Sequence, residues 1–114
     1  MTMLQFRLPF PPSVNHYWRS VDGKMLISKA GRQYRKDVAK LCMTACRMGS
    51  RRLSVEIAAY PPDRRRRDLD NLTKALLDSL EKAGVYDDDG QIDRLLIERG
   101  PPGKPGFVTV TISG

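Results

Sequence analysis

The chain has 114 residues, of which 40% are hydrophobic and 29% are charged, and its formal net charge is +7. This length suits one small domain, and we expect residues 1–114 to form it around a modest core. The composition excludes an intrinsically disordered chain. A positive excess of this size favours an anionic partner such as nucleic acid, although a basic protein without such a partner remains an alternative.

The sequence predicts a protein with no membrane partner. No apolar run approaches the ~20 residues that cross a bilayer, and the first residues lack the order of a signal peptide. We therefore expect a cytoplasmic location. Cys42 and Cys46, with only one distant histidine, His16, fall short of a zinc-binding set and are expected to be reduced thiols.

The N-terminal quarter predicts one strand and one loop. Residues 3–8 alternate apolar and polar side chains, which is typical of a strand with one buried face. Prolines end this strand, because proline lacks the N–H that a sheet needs. In the loop 13–19 we expect Asn15 and Arg19 to contact nucleic acid, while the two adjacent aromatic residues suit either base stacking or a cover over the core.

A first helix is predicted from Lys29 to about Met48. It follows a turn at residues 21–24 and a short strand at 25–27, and Ser28 is a plausible N-cap. Apolar residues recur at steps of three and four along it. Its opposite face is basic, which fits either ordinary solvation or phosphate contacts.

The second half predicts a strand at residues 53–60, a helix at about 68–83 and strands at 92–98 and 107–112. Leucines at helical spacing form one stripe on this second helix. The last two strands lie close enough in sequence to form a hairpin. The order β-α-β-α-β-β predicts an α/β (α+β) fold, with a mixed sheet of about four strands and two main helices packed on it.

The stretch from Pro61 to Asp89 holds the unusual chemistry. The arginine run, Arg64 to Arg67, leads directly into Asp68 and Asp70, and a second acidic run follows one helix later. Carboxylates repel phosphate unless a divalent cation lies between them. The simpler alternative is that both aspartates only cap the second helix, where they meet free N–H groups and the positive end of the dipole.

This pattern predicts a Mg²⁺-dependent nuclease site. Asp68, Asp70 and Asp89 would supply the carboxylates, since Mg²⁺ binds through a few carboxylates, water and substrate phosphate. Lys74 would offset charge in the transition state, and the arginine run would hold neighbouring phosphates. The helix separates the two acidic groups by ~20 Å, so the chain must turn back for them to meet.

Three motifs resemble those of the RusA family of crossover-junction endodeoxyribonucleases. They are P-P-S-x-N (from Pro11 to Asn15), P-D-R-R-R-R-D-L-D-N-L-x-K (from Pro62 to Lys74), and K-A-G followed by D-D (from Lys82 to Gly84, then Asp88 and Asp89). The family consists of Holliday-junction resolvases of bacteria, their phages and prophages.

The resemblance implies a homodimeric enzyme of DNA recombination and repair that binds four-way DNA junctions and makes paired symmetric nicks. Mg²⁺ is the implied cofactor, with Mn²⁺ as a substitute. By matching position, the essential carboxylates are Asp68, Asp70 and Asp89, and the essential lysine is Lys74, whereas Asp88 matches an adjacent acidic position. Two alternatives remain, namely a DNA-binding protein without catalysis and a nuclease for flaps or single strands.

Overall fold

A computed structural model describes residues 2–114 and confirms the mixed α+β architecture with two main helices. The elements in chain order are β1 (Met3–Pro9), α1 (Val14–Tyr17), β2 (Trp18–Val21), β3 (Lys24–Ile27), α2 (Lys29–Leu41), β4 (Leu53–Tyr60), α3 (Asp70–Lys82), β5 (Ile92–Arg99) and β6 (Phe107–Ser113). One turn of 3₁₀ helix, Asp89–Gln91, precedes β5.

Within residues 2–114, no helix combines the length and apolar character that crossing a bilayer requires.

The main sheet has four strands in the order β1-β6-β4-β5. The predicted hairpin of the last two strands is wrong, because β4 lies between β5 and β6 and pairs with both, parallel to β5 and antiparallel to β6. The connection at residues 100–106 is long enough to pass the end of β4. It is held there by Gly100, whose N–H donates to Ala59 O (2.8 Å), and by Gly103, whose N–H donates to Pro61 O (2.9 Å).

The core lies between one face of this sheet and the helices α2 and α3. Alternate residues of β4, such as Val55 and Ile57, are buried against Val38 of α2 and against Leu76 and Leu80 of α3. Complete burial of each such side chain contributes ~1.5–3 kcal/mol. The predicted leucine stripe on the second helix is therefore the face that packs on the sheet.

Helix α2 is shorter than predicted, although its start is confirmed. The Ser28 side chain accepts a hydrogen bond from Gly31 N (2.9 Å), as an N-cap does. The helix ends at Leu41 and not near Met48. The N–H of Met48 instead donates to Val85 O (2.8 Å), and its side chain is buried in the core. The apolar spacing in the sequence therefore extends beyond the end of α2, because the turn that follows the helix also buries an apolar residue, Met48. Both cysteines are free thiols.

The segment predicted as a loop at 13–19 forms helix α1 and the first strand of the β2–β3 hairpin. Tyr17 is fully buried, so it covers the core and is not available for base stacking. Its hydroxyl donates to Asp78 and accepts from Arg35 Nε (2.8 Å). A Cβ at Gly31 would lie 2.5 Å from Tyr17 O, so the close approach of α1 to α2 requires glycine there.

Strand β5 is an exposed edge of the main sheet. Leu95 and Leu96 are neighbours in the strand, so their side chains point to opposite faces of the sheet. Both are nevertheless exposed, by 42% and 36% respectively. The outer edge of β5 pairs with no other strand among residues 2–114. Unpaired edges that carry apolar side chains are surfaces on which another chain can pack.

Candidate functional site

The acidic turn after α3 is held in place by the side chain of Gln91. Its Oε1 accepts hydrogen bonds from the backbone N–H groups of Asp87 (3.1 Å) and Asp88 (2.9 Å). Its Nε2 donates to the carbonyl groups of Gly49 (2.9 Å) and Arg51 (2.6 Å). This amide is buried, and both its oxygen and its nitrogen have hydrogen-bond partners. These hydrogen bonds hold the turn in one position beside α3.

A cluster of three carboxylates forms where this turn meets α3. The backbone N–H of Asp89 donates to Glu81 Oε1 (2.8 Å), and carboxylate oxygens of Glu81, Asp88 and Asp89 lie within 4.8 Å of one another. Oxygen ligands around one octahedral Mg²⁺ are roughly 3–4 Å apart. An oxygen-only donor set of this kind suits a hard divalent cation.

The negative charge of this cluster reaches the buried Tyr86. Burial is the main cause that raises the pKa of its hydroxyl, and the charges of Asp89 and Glu81 raise it further. The hydroxyl donates to Leu77 O (2.6 Å). The carboxylates therefore act on Tyr86 as nearby negative charges, which disfavour its ionised form.

Asp89 also belongs to an open depression of about 560 Å³ between α3 and β5. Asp70 and Lys74 line the same depression, and its remaining lining residues are mostly apolar, namely Leu69, Thr73, Leu77, Leu95 and Ile97. The turn after α3 therefore places Asp89 in the lining of the same depression as Asp70. Two of the three predicted ligands, and the predicted lysine, meet at this one depression.

Asp68 lines a different cavity, which neighbours the first turn of α3 on the side of the N-terminal segment. Neither Asp68 nor Asp70 belongs to the close carboxylate group found among residues 2–114. The assignment of Asp68, Asp70 and Asp89 as one ligand set therefore stays a prediction.

The capping alternative for the two aspartates finds no support in the hydrogen bonds. The N-cap position of α3 is occupied by Leu69, with no side-chain cap, although Asp70 does lie in the first turn, near the positive end of the helix dipole. Among residues 2–114, the carboxylates of Asp68 and Asp70 accept no hydrogen bond, and Lys74 forms no ion pair with Asp70. These charged groups are exposed and free for other ligands.

The four arginines of the run divide into two pairs. Arg65 and Arg67 both bind Asp63, and the Arg67 contact is 2.7 Å long. The hydrogen bond from Arg67, followed by that from the backbone of Arg65, lowers the pKa of Asp63 well below its usual range. In the part of the chain described, Arg64 and Arg66 make no ion pair, so they are the cations free to meet phosphate.

The two predicted contacts in the N-terminal segment lie in different places. Asn15 is exposed and lines the same cavity as Asp68 and Arg66. Arg19 is exposed on β2, opposite Leu26 in the hairpin, and lines none of the cavities described here. Contact of either residue with DNA stays a prediction.

Glu81 is a site residue that the sequence analysis does not identify as a ligand. The signal was present in its spacing. Eleven residues after Asp70 correspond to about three helical turns, so the two side chains share one face of α3. The contact with Asp89, however, depends on the turn after the helix.

Comparisons with known proteins find similar sequences along nearly the whole chain. The family described as Endodeoxyribonuclease RusA matches residues 9–113. A protein of Enterobacteria phage HK97 named crossover junction endodeoxyribonuclease rusA is 44% identical over 112 residues, which cover 94% of this chain and 93% of that protein. The proteins of the same name from Escherichia coli strain K12 and Enterobacteria phage 82 are each 39% identical over 115 residues, or 99% of this chain and 96% of theirs.

We predict that Mg²⁺ or Mn²⁺ raises the melting temperature of the protein, because cation binding relieves the repulsion among Glu81, Asp88 and Asp89. A cation at a hundred times its dissociation constant stabilises a protein by about 2.7 kcal/mol. Differential scanning fluorimetry measures the shift, which Glu81→Gln should reduce. Asp87→Asn removes one exposed charge from the same turn and serves as the control. An equal shift in all three proteins would contradict a cation site at this cluster.

Proposed function

Because the chain belongs to the RusA family of endodeoxyribonucleases, we propose that it is a nuclease that resolves four-way (Holliday) DNA junctions by paired symmetric nicks in recombination and repair. Residues 1–114 would act as one nuclease domain. The observation that carries this proposal is the depression that Asp70, Lys74 and Asp89 line together. These are the groups that hydrolysis of a phosphodiester requires.

The carboxylates would hold Mg²⁺, with Mn²⁺ as a substitute. Asp70 and Asp89, which line the depression, and Asp68, which lines the neighbouring cavity, would supply oxygens. Glu81 would supply another, and it also accepts a hydrogen bond from the Asp89 backbone. When bound, such an ion polarises a phosphoryl oxygen and lowers the pKa of a coordinated water. The exposed oxygens of Asp68 and Asp70, which accept no internal hydrogen bond, support this role.

Lys74 and the free arginines would handle the charge of the DNA. Lys74 lies one turn after Asp70 on α3 and has no carboxylate partner among residues 2–114. Its ammonium group is therefore available to stabilise negative charge that develops at phosphorus. Arg64 and Arg66 would bind flanking phosphates, while Arg65 and Arg67 keep the loop ordered through Asp63.

We also propose that the protein acts as a homodimer in the cytoplasm. A four-way junction has approximate two-fold symmetry, so a dimer with the same symmetry presents one site to each of two opposed strands. The open edge of β5 supports this arrangement, because Leu95 and Leu96 are exposed on it. Leu95 also lines the depression with Asp70, so a partner packed on this edge would lie next to the site.

We predict that Asp70→Asn abolishes nicking of a synthetic four-way junction with Mg²⁺ but retains binding. The substitution removes a charged ligand, so the loss of rate should exceed the roughly 10–100-fold cost of altering an outer-shell metal partner. Gel assays of cleavage and mobility shift measure the two properties. Asp37→Asn is the control, because Asp37 is a half-buried residue of α2 that accepts a hydrogen bond from Gln33 (2.9 Å) and lines none of these cavities.

The same assay separates the alternatives to this function. Unchanged nicking by Asp70→Asn would remove this residue from the site. Binding without any nicking by the wild-type protein would favour a non-catalytic DNA-binding protein. Faster cleavage of flap or single-stranded DNA than of junctions would replace the substrate proposed here.

We predict that Arg66→Ala weakens junction binding more than Arg65→Ala does. Both variants lose one positive charge, but Arg65 already binds Asp63, whereas Arg66 has no acidic partner in residues 2–114. Loss of one phosphate contact should lower the slope of log K against log salt by about 0.9. Fluorescence anisotropy at several salt concentrations measures it, and equal slopes for the two variants would contradict this division of roles.

We predict that light scattering gives the mass of two chains for the wild-type protein and of one chain for Leu96→Lys. A charge placed on the exposed β5 edge would have to be desolvated in the proposed interface. Met43→Lys is the matched control, because Met43 is exposed after the end of α2. A monomeric wild-type protein would refute the dimer, and a dimeric Leu96→Lys would place the interface elsewhere.

A further inference from the structure

A second cavity, distinct from the depression that holds Asp70 and Asp89, opens beside Asp68. It has a volume of about 550 Å³ and lies between the N-terminal segment and the start of α3. This volume is within the range of roughly 300–1,000 Å³ that is usual for small-molecule sites. Of the residues that line this cavity, Asp68 and Arg66 have a role in the proposed hydrolysis, and the others have none in it.

One side of the cavity offers an aromatic and cationic surface. Phe10 lines it together with two prolines. The guanidinium carbon of Arg67 lies 5.6 Å from the centre of the Phe10 ring, and its ion pair with Asp63 holds it there. Aromatic rings and guanidinium planes are the surfaces on which proteins stack unpaired nucleobases.

The other side offers hydrogen-bonding groups that have no internal partner. The side-chain amides of Asn15 and Asn71 line the cavity, and neither makes a hydrogen bond within residues 2–114. His16 does have one contact, 2.8 Å from its Nδ1 to the Ser13 hydroxyl, which fixes the ring and leaves Nε2 free. Amide and imidazole groups match the donors and acceptors on the edges of bases.

The charge around the cavity favours an anionic ligand, and the position favours a nucleotide of the substrate. Three arginines line the cavity, and they outnumber the two carboxylates beside them, Asp68 and the Asp63 that binds Arg65 and Arg67. Because Asp68 adjoins Asp70 in sequence, a base in this cavity would belong to a nucleotide next to the phosphate that is cut. An anion held only by surface charge would not need the flat wall and the unpaired amides.

We propose that this cavity takes one unpaired nucleobase of the DNA substrate, and that Asn15, His16 and Asn71 read it and thereby set the sequence preference of cutting. The proposal rests on the nuclease function proposed above and adds the part of the substrate that is recognised. The base stacks against Phe10 and Arg67, and its phosphate meets Arg66. Asn15, His16 and Asn71 are specificity residues and take no part in the chemistry at phosphorus.

The test measures nicking rates on junctions that carry every dinucleotide at the crossover. We expect the wild-type protein to nick some of these junctions faster than others. Asn15→Ala and Asn71→Ala should each reduce the ratio of the fastest to the slowest nicking rate by roughly ten-fold, which corresponds to the loss of one base contact. Gln33→Ala is the matched amide control, because Gln33 is exposed on α2 and its amide donates to Asp37.

A second measurement does not require catalysis. In an Asp70→Asn background, a fluorescent purine analogue at the crossover should brighten on binding, because it leaves the base stack, and Asn15→Ala should reduce this rise. Thermal melts show which variants fold, and Asn15 lies on an exposed surface where truncation leaves the core intact.

The outcomes distinguish the two proposals. A wild-type protein that nicks no junction overturns the proposed function, while the fluorescence still reports on the cavity. Nicking with equal rates on all junctions, a preference that Asn15→Ala and Asn71→Ala leave unchanged, or an analogue that stays dark in the complex would each overturn base recognition by this cavity.

Discussion

The buried amide of Gln91 connects two separate parts of the chain through four hydrogen bonds, two to the acidic turn and two to the backbone between α2 and β4. Its Oε1 and Nε2 occupy the one place where the turn after α3 must reverse direction. A carboxylate there could not donate to Gly49 and Arg51, and an apolar side chain would remove all four hydrogen bonds, each of which contributes ~0.5–1.5 kcal/mol. Asp89 reaches α3 because this turn is fixed.

The arginine run shows how a cluster of like charges can be both ordered and available. Four adjacent guanidinium groups repel one another, and Asp63 relieves this by binding Arg65 and Arg67. These exposed pairs contribute little to stability, but they give the loop a shape. Arg64 and Arg66, which alternate with the bound pair, are left for the ligand. A basic stretch in a sequence thus overstates the number of cations that can contact phosphate.

Much of the fold followed from periodicity, and the errors have physical causes. Strand β4 and the start of α2 were predicted at the observed residues, since alternation and a serine cap are local signals. The excess length of α2 arose because Met48 is buried by a turn. The hairpin of β5 and β6 was wrong because pairing between strands is not local, and closeness in sequence favoured a contact that β4 replaces. Glu81 was missed because its partner comes from beyond the helix.

The buried contacts of Tyr17 have a consequence for the choice of DNA. Tyr17 joins α1 to Asp78 on α3 and to Arg35 on α2, and Gly31 lets the two backbones approach closely. The wall that carries Asn15 therefore has little freedom to swing outward. Because this part of the protein is rigid, the DNA must be distorted for a base to enter the cavity. Intact duplex resists such unstacking more than nucleotides at a branch point do, so a rigid wall by itself would discriminate against unbranched DNA.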